Sequence, residues 1–155
     1  MHSPLYTIGH SNLSYEQFKN LLTLHGIQVL IDVRSSPYSR FITWANRKPL
    51  AEQLIADGID YFWGGQMLGG RAPYQLDHFL FVDKLNTLVK KSQEQTCVMM
   101  CAEKDPKACH RASKLSHALH SLAPDLKIRH IISGGDTLDS REFQAAQKPK
   151  WAFGT

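Results

Sequence analysis

The sequence predicts an α/β protein: a single three-layer α/β/α domain around a mostly parallel sheet of about five strands. Three observations predict it. Short apolar runs such as Val29-Leu30-Ile31-Asp32-Val33 lack the in–out alternation of a half-exposed strand and suit strands covered on both faces. Stretches at helical spacing separate these runs. The switches between them fall in polar or glycine-containing loops, as βαβ units with right-handed crossovers require. With 155 residues, 43% of them hydrophobic and 21% charged, the chain is one domain, residues 1–155, with enough apolar material for a core.

Leu5 to Ile8 reads as the first strand, ended by Gly9-His10-Ser11-Asn12. Ser14-Tyr15-Glu16-Gln17 has the capping-box form, Phe18, Leu21 and Leu22 supply an apolar helical face, and Gly26 stops the helix. Val29 to Val33 is the second strand and runs into a loop carrying Arg34, Pro37, Tyr38 and Arg40. Pro49 suits the first turn of a helix with Leu50, Leu54 and Ile55, stopped at Gly58. Ile59 to Trp63 is the third strand, followed by a glycine-rich loop from Gly64 to Arg71.

Asp77 then caps a helix with Leu80, Val82, Leu85, Leu88 and Val89 inward, ending among Lys90 and Lys91. Thr96 to Met100 is the fourth strand and Lys104-Asp105-Pro106 a turn. Helical spacing resumes from Arg111 to Leu122, with Ala112, Leu115, Ala118, Leu119 and Leu122 on one face. Ile128 to Ile132 is the fifth strand. Residues 134–155 read as a less regular C-terminal segment with a short helix near Arg141 to Ala146.

The apolar runs are far too short to span a membrane, and no basic segment followed by an apolar one opens the chain. A cytoplasmic protein without a membrane partner is therefore expected. Three cysteines, an odd number, fit reduced thiols better than a disulfide framework. A net charge of +4 suits an anionic small molecule or nucleic acid as partner.

Where the polar residues fall is the informative part. His10 and Ser11 follow the first strand, Arg34 and Arg40 the second, and Arg71 the third. Cys101 and Glu103 end the fourth, and Cys109, His110 and Arg111 open the helix after it. In a parallel sheet all of these share one edge, where the crevice beyond the strand C-termini binds ligands. Arg34, Arg40, Arg71 and Arg111 would hold phosphate or carboxylate through forked, charge-assisted hydrogen bonds, with Ser11 and His110 beside them. The competing role for these arginines is a structural ion pair with Asp32, Asp60 or Glu103.

Cys109 near a helix N-terminus, beside His110 and Arg111, is placed to ionise and act as a nucleophile, with Cys101 a second candidate. Neighbouring residues on a helix do not face each other, so His10 competes with His110 as proton carrier. Glu103 stands where a general acid or base would, or alternatively as a clamp on the arginines. Cys101, Cys109, His110 and His10 could bind zinc, but the two cysteines lie farther apart than zinc knuckles place such a pair. No metal site is assigned and no cofactor is required. Cys97, inside a strand, reads as packing. Tyr38, Phe41, Trp44, Tyr61 and Trp63 are interleaved with the arginines, a pattern that can stack bases, although core or lid positions are the expected place for most of them.

Four stretches carry a family resemblance: Tyr6-Thr7-Ile8-Gly9-His10-Ser11, then Ile31-Asp32-Val33-Arg34 with Pro37 and Arg40-Phe41, Leu68-Gly69-Gly70-Arg71, and Cys101-Ala102-Glu103 through Cys109-His110-Arg111. In this order they resemble the bacterial and archaeal family called domain of unknown function 488. The resemblance implies a compact cytosolic α/β domain and makes the matched residues its site, without supplying a substrate. The leading expectation is an enzyme whose crevice binds an anionic substrate, a nucleotide or nucleic acid group. The alternative is a non-catalytic binding module for phosphate-containing ligands or nucleic acid, with structural thiols or a small metal site.

Overall fold

The computed structural model describes residues 3–69, 79–103 and 114–146. They form a six-stranded, mostly parallel sheet with helices on both faces. In chain order the elements are β1 (Leu5–Gly9), α1 (Tyr15–Leu24), β2 (Val29–Asp32), α2 (Arg47–Ala56), β3 (Asp60–Trp63), α3 (Gly65–Leu68), α4 (Phe79–Glu94), β4 (Cys97–Cys101), α5 (Ser116–Leu122), β5 (Ile128–Ile131), β6 (Thr137–Asp139) and α6 (Ser140–Ala146). The expected fold class holds, with one strand more than foreseen.

The sheet order is β3-β2-β4-β1-β5-β6, with β6 alone antiparallel. β1 is followed by β2 two places away, and the lane between them is filled later by β4. Reversing the direction of travel with right-handed crossovers moves the connecting helices to the other face. The core divides accordingly. Phe18, Leu22, Leu50 and Leu54 of α1 and α2 pack on Ile8, Leu30, Val98 and Met100. Phe81, Leu85, Leu88, Leu115 and Leu119 pack on Val29, Ile31, Cys97 and Met99. β2 and β4 are buried along their whole length, as their unbroken apolar runs require.

Local signals are followed closely in the first half of the chain. The Ser14 hydroxyl accepts from the Gln17 N–H while the Gln17 side chain accepts from the Ser14 N–H, closing the capping box. Gly26 and Gly58, at φ +66° and +82°, end α1 and α2 in the left-handed region that favours glycine. Four expectations need correction. Gly64 to Gly69 is not all loop, because Gly65–Leu68 forms α3. In α4 it is Phe81 that is buried, whereas Leu80 is 50% exposed, and the helix runs one turn beyond Lys90 to Glu94. Ile55 of α2 faces outward. β6 pairs with β5 where an irregular tail was expected. The expected cap Asp77 lies outside the described residues, as does Ala112.

Candidate functional site

β1 and β4 are neighbours whose connections leave toward opposite sides of the sheet, the switch point beyond whose strand C-termini open α/β sheets bind their ligands. The backbone fixes this edge beyond the strands themselves. The His10 N–H donates to the Cys101 carbonyl at 3.0 Å and the Ser11 N–H to the Ala102 carbonyl at 2.9 Å. On the other side, the Val33 N–H donates to the Met100 carbonyl at 3.0 Å. The residues following β1, β2 and β4 are thereby tied to one another. Ser11 takes φ +46°, a left-handed conformation that costs a non-glycine residue about 1–2 kcal/mol.

Asp32 and Arg34 lie two residues apart on an extended backbone and so project to the same face. The Arg34 guanidinium grips the Asp32 carboxylate at both oxygens, Nε to Oδ1 at 2.8 Å and Nη2 to Oδ2 at 2.7 Å. Both side chains are buried. Nη2 also donates to the Ala45 carbonyl at 2.7 Å, and the Tyr61 hydroxyl donates to Asp32 Oδ2 at 2.5 Å. Burial, and then that bond to Asp32, pushes the Tyr61 pKa far up, so the phenol stays a donor. Breaking a buried pair of this kind from one side costs about 3–5 kcal/mol.

The remaining nitrogen, Arg34 Nη1, meets His10 Nε2 at 3.3 Å. His10 is itself buried, and its Nδ1 lies 2.9 Å from the Ser11 carbonyl. A carbonyl only accepts, so Nδ1 carries the proton and the neutral ring presents its Nε2 lone pair to Arg34. Burial lowers the His10 pKa from its ordinary value. The Ser11 carbonyl opposes this, and the Arg34 charge lowers the pKa further. Trp44 holds the imidazole from the side, edge-on at 5.9 Å between ring centres, and is itself anchored by its indole N–H to the Leu13 carbonyl.

The structure thus brings His10, Ser11, Arg34 and Cys101 to one edge. Cys101 is buried and disulfide-bonded, which corrects the expectation of reduced thiols, and its Sγ lies 3.5 Å from the Glu103 carbonyl, while the Glu103 side chain is exposed. Arg40 is exposed on the loop after β2 with its guanidinium over the Phe41 ring, and it makes none of the Arg34 contacts. Arg71, Cys109, His110 and Arg111 lie outside the described residues. Cys97 is buried in β4, and burial pushes its thiol up to about 11, which suits packing and not reaction. Among the described residues no three His, Cys, Asp or Glu side chains converge as a metal site. No described helix is long and apolar enough to cross a membrane.

Three members of the site do not stand out in the sequence. Asp32 enters there only as one of several partners for an arginine, yet the Asp-x-Arg spacing on a strand places both groups on one face. Tyr61 and Trp44 reach the site from elements whose position depends on sheet order, which no local pattern discloses.

A family model described as a domain of unknown function, DUF488, matches residues 14–76 and 74–115 of the chain. No curated protein and no solved structure matches it.

Proposed function

The chain belongs to this DUF488 family, whose name assigns no activity, and we propose from its own residues that it is an enzyme acting on an anionic, phosphate-containing substrate, a nucleotide or nucleic acid group, in the crevice beyond β1 and β4. One observation carries this reading. A buried, neutral imidazole faces a buried guanidinium at the switch point of the sheet, and the adjoining Ser11 is held in a strained backbone conformation. A folding core has no need of that combination.

In this reading His10 Nε2 accepts a proton when a substrate displaces it from Arg34, and Glu103 returns or relays one from the crevice rim. Cys101 or Cys109 is the candidate nucleophile, and Cys101, disulfide-bonded in this structure, takes that role only after reduction frees its thiolate. Since Asp32 engages two of Arg34's three nitrogens, Arg34 serves the anion through Nη1 only, and Arg40, Arg71 and Arg111 with His110 and Ser11 carry the rest of its charge. That same engagement favours the second reading, a non-catalytic module that binds phosphate-containing ligands or nucleic acid.

The test is titration calorimetry against a panel of nucleotides and phosphate esters, paired with mass spectrometry of the incubated ligands. An enzyme converts a bound ligand, and Glu103→Gln retains affinity while conversion falls by about 10²-fold or more. Binding without conversion in the wild-type chain establishes the module instead. No binding of any panel member by the wild-type chain defeats both.

A further inference from the structure

A second basic surface lies away from the crevice, along the free edge of the sheet. Among the described residues β3 pairs only with β2. Asp60 and Gly64 donate their N–H groups to Gln28 and Asp32 on the β2 side, so the alternate residues, Tyr61 and Trp63, turn their backbone groups outward. A cavity of about 480 Å³ lies between this edge and α2, lined by Arg47, Lys48, Ala51, Tyr61, Phe62 and Trp63. Another, of about 350 Å³, lies between it and α4, with Lys84 and Lys91 in its wall and Phe62 and Trp63 shared with the first.

Among the described residues, the two linings together hold four cations and no carboxylate. Among the described residues none of Arg47, Lys48, Lys84 and Lys91 forms an ion pair, whereas Lys19, Arg34 and Arg129 all do. Two of the cations sit on aromatic rings. The Arg47 guanidinium lies 4.5 Å from the Trp63 ring centre and the Lys91 ammonium 5.6 Å from that of Phe62. Phe62 is nonetheless 51% exposed, a large ring left in water between two basic grooves.

We infer that the β3 edge is a docking site for single-stranded nucleic acid, with phosphates on Arg47, Lys48, Lys84 and Lys91 and a base stacked on Phe62. Unpaired cations interleaved with exposed rings are what a flexible polyanion with π faces requires. An acidic peptide adding as a strand is the poorer fit, since a four-residue edge flanked by lysines discourages strand addition. Tyr61 and Trp63 in this lining also bond Asp32 and the Arg34 carbonyl, but the five side chains assigned to the ligand make no hydrogen bond or ion pair to His10, Asp32 or the Arg34 side chain, so they can be varied without removing a contact of the crevice.

Fluorescence anisotropy with a fluorescein-labelled oligothymidylate of about 15 nucleotides tests it. Saturable binding is expected at low salt, with log affinity falling linearly as log salt rises. The Lys48→Ala, Lys84→Ala, Lys91→Ala triple variant should flatten that slope by about 0.7 for each phosphate it no longer neutralises. Phe62→Ala, on an exposed side chain, should weaken binding about tenfold and leave the slope unchanged, and it keeps the test decisive if the triple variant misfolds. The inference is overturned by absence of saturable binding, by binding that a folded triple variant retains unaltered, or by full affinity in Phe62→Ala. Displacement of the oligonucleotide by polyglutamate as readily as by unlabelled oligothymidylate overturns it in favour of an acidic peptide.

Discussion

His10 is held neutral by its burial and by the guanidinium beside it, and this has a consequence for stability. In the unfolded chain the ring takes up a proton below about pH 6.5. In the folded chain it does so only at lower pH, since its pKa is depressed. Between the two values the unfolded state binds more protons, so stability falls as pH drops through 6.5 toward the folded value and levels off below it. Urea denaturation of the wild type and His10→Gln between about pH 5 and 8 should show the wild type losing more stability on acidification. Parallel pH profiles would show that His10 is not buried neutral. His120, whose pKa burial also lowers, adds a background common to both proteins. The sequence announces His10 by its place after a strand, but not its protonation state, which depends on burial and on Arg34, which follows a strand two lanes away.

At the scale of elements, short-range chemistry is legible and long-range packing is not. The capping box, the stops at Gly26 and Gly58, and the buried strands β2 and β4 can be read from neighbouring residues alone. The face of α4 cannot, because choosing Phe81 over Leu80 depends on how the helix meets the sheet. α3 is hidden by its glycines, which usually signal a loop. The structure gives them a packing role: a Cβ on Gly65 would sit 1.8 Å from the Arg34 carbonyl oxygen and 2.6 Å from Trp63 Nε1. The Trp63 indole N–H donates to that same carbonyl at 2.9 Å. Glycine is there so that α3 can press against the backbone of the arginine that grips Asp32. Gly65→Ala should therefore cost about 1–3 kcal/mol by overpacking, read as a lower urea midpoint with unchanged slope. A neutral Gly65→Ala would return this stretch to the loop expected from its composition.

For the whole molecule, fold class follows from the alternation of strand and helix patterns, while strand order does not, because pairing across the sheet leaves no local trace. Placing His10, Ser11, Arg34 and Cys101 at one edge needs only that the strands run parallel; that His10 meets Arg34 across an inserted β4 depends on the strand order. That insertion also sets a timetable for the nascent chain. β1 pairs with β4 and β5 alone, so every ladder partner of the first strand is synthesised after residue 96. While the ribosome is still making α4, β1 has no strand beside it, and Leu5 and Ile8 lack the sheet neighbours that cover them in the finished domain. A fragment of residues 1–95 should show no cooperative thermal transition by circular dichroism, and adding residues 96–155 in trans should restore one. A cooperative transition in the first fragment alone would mean that β1 and β2 find another arrangement without β4. The lane left open in the early chain is thus a checkpoint in biogenesis: the crevice is assembled only once β4 has emerged.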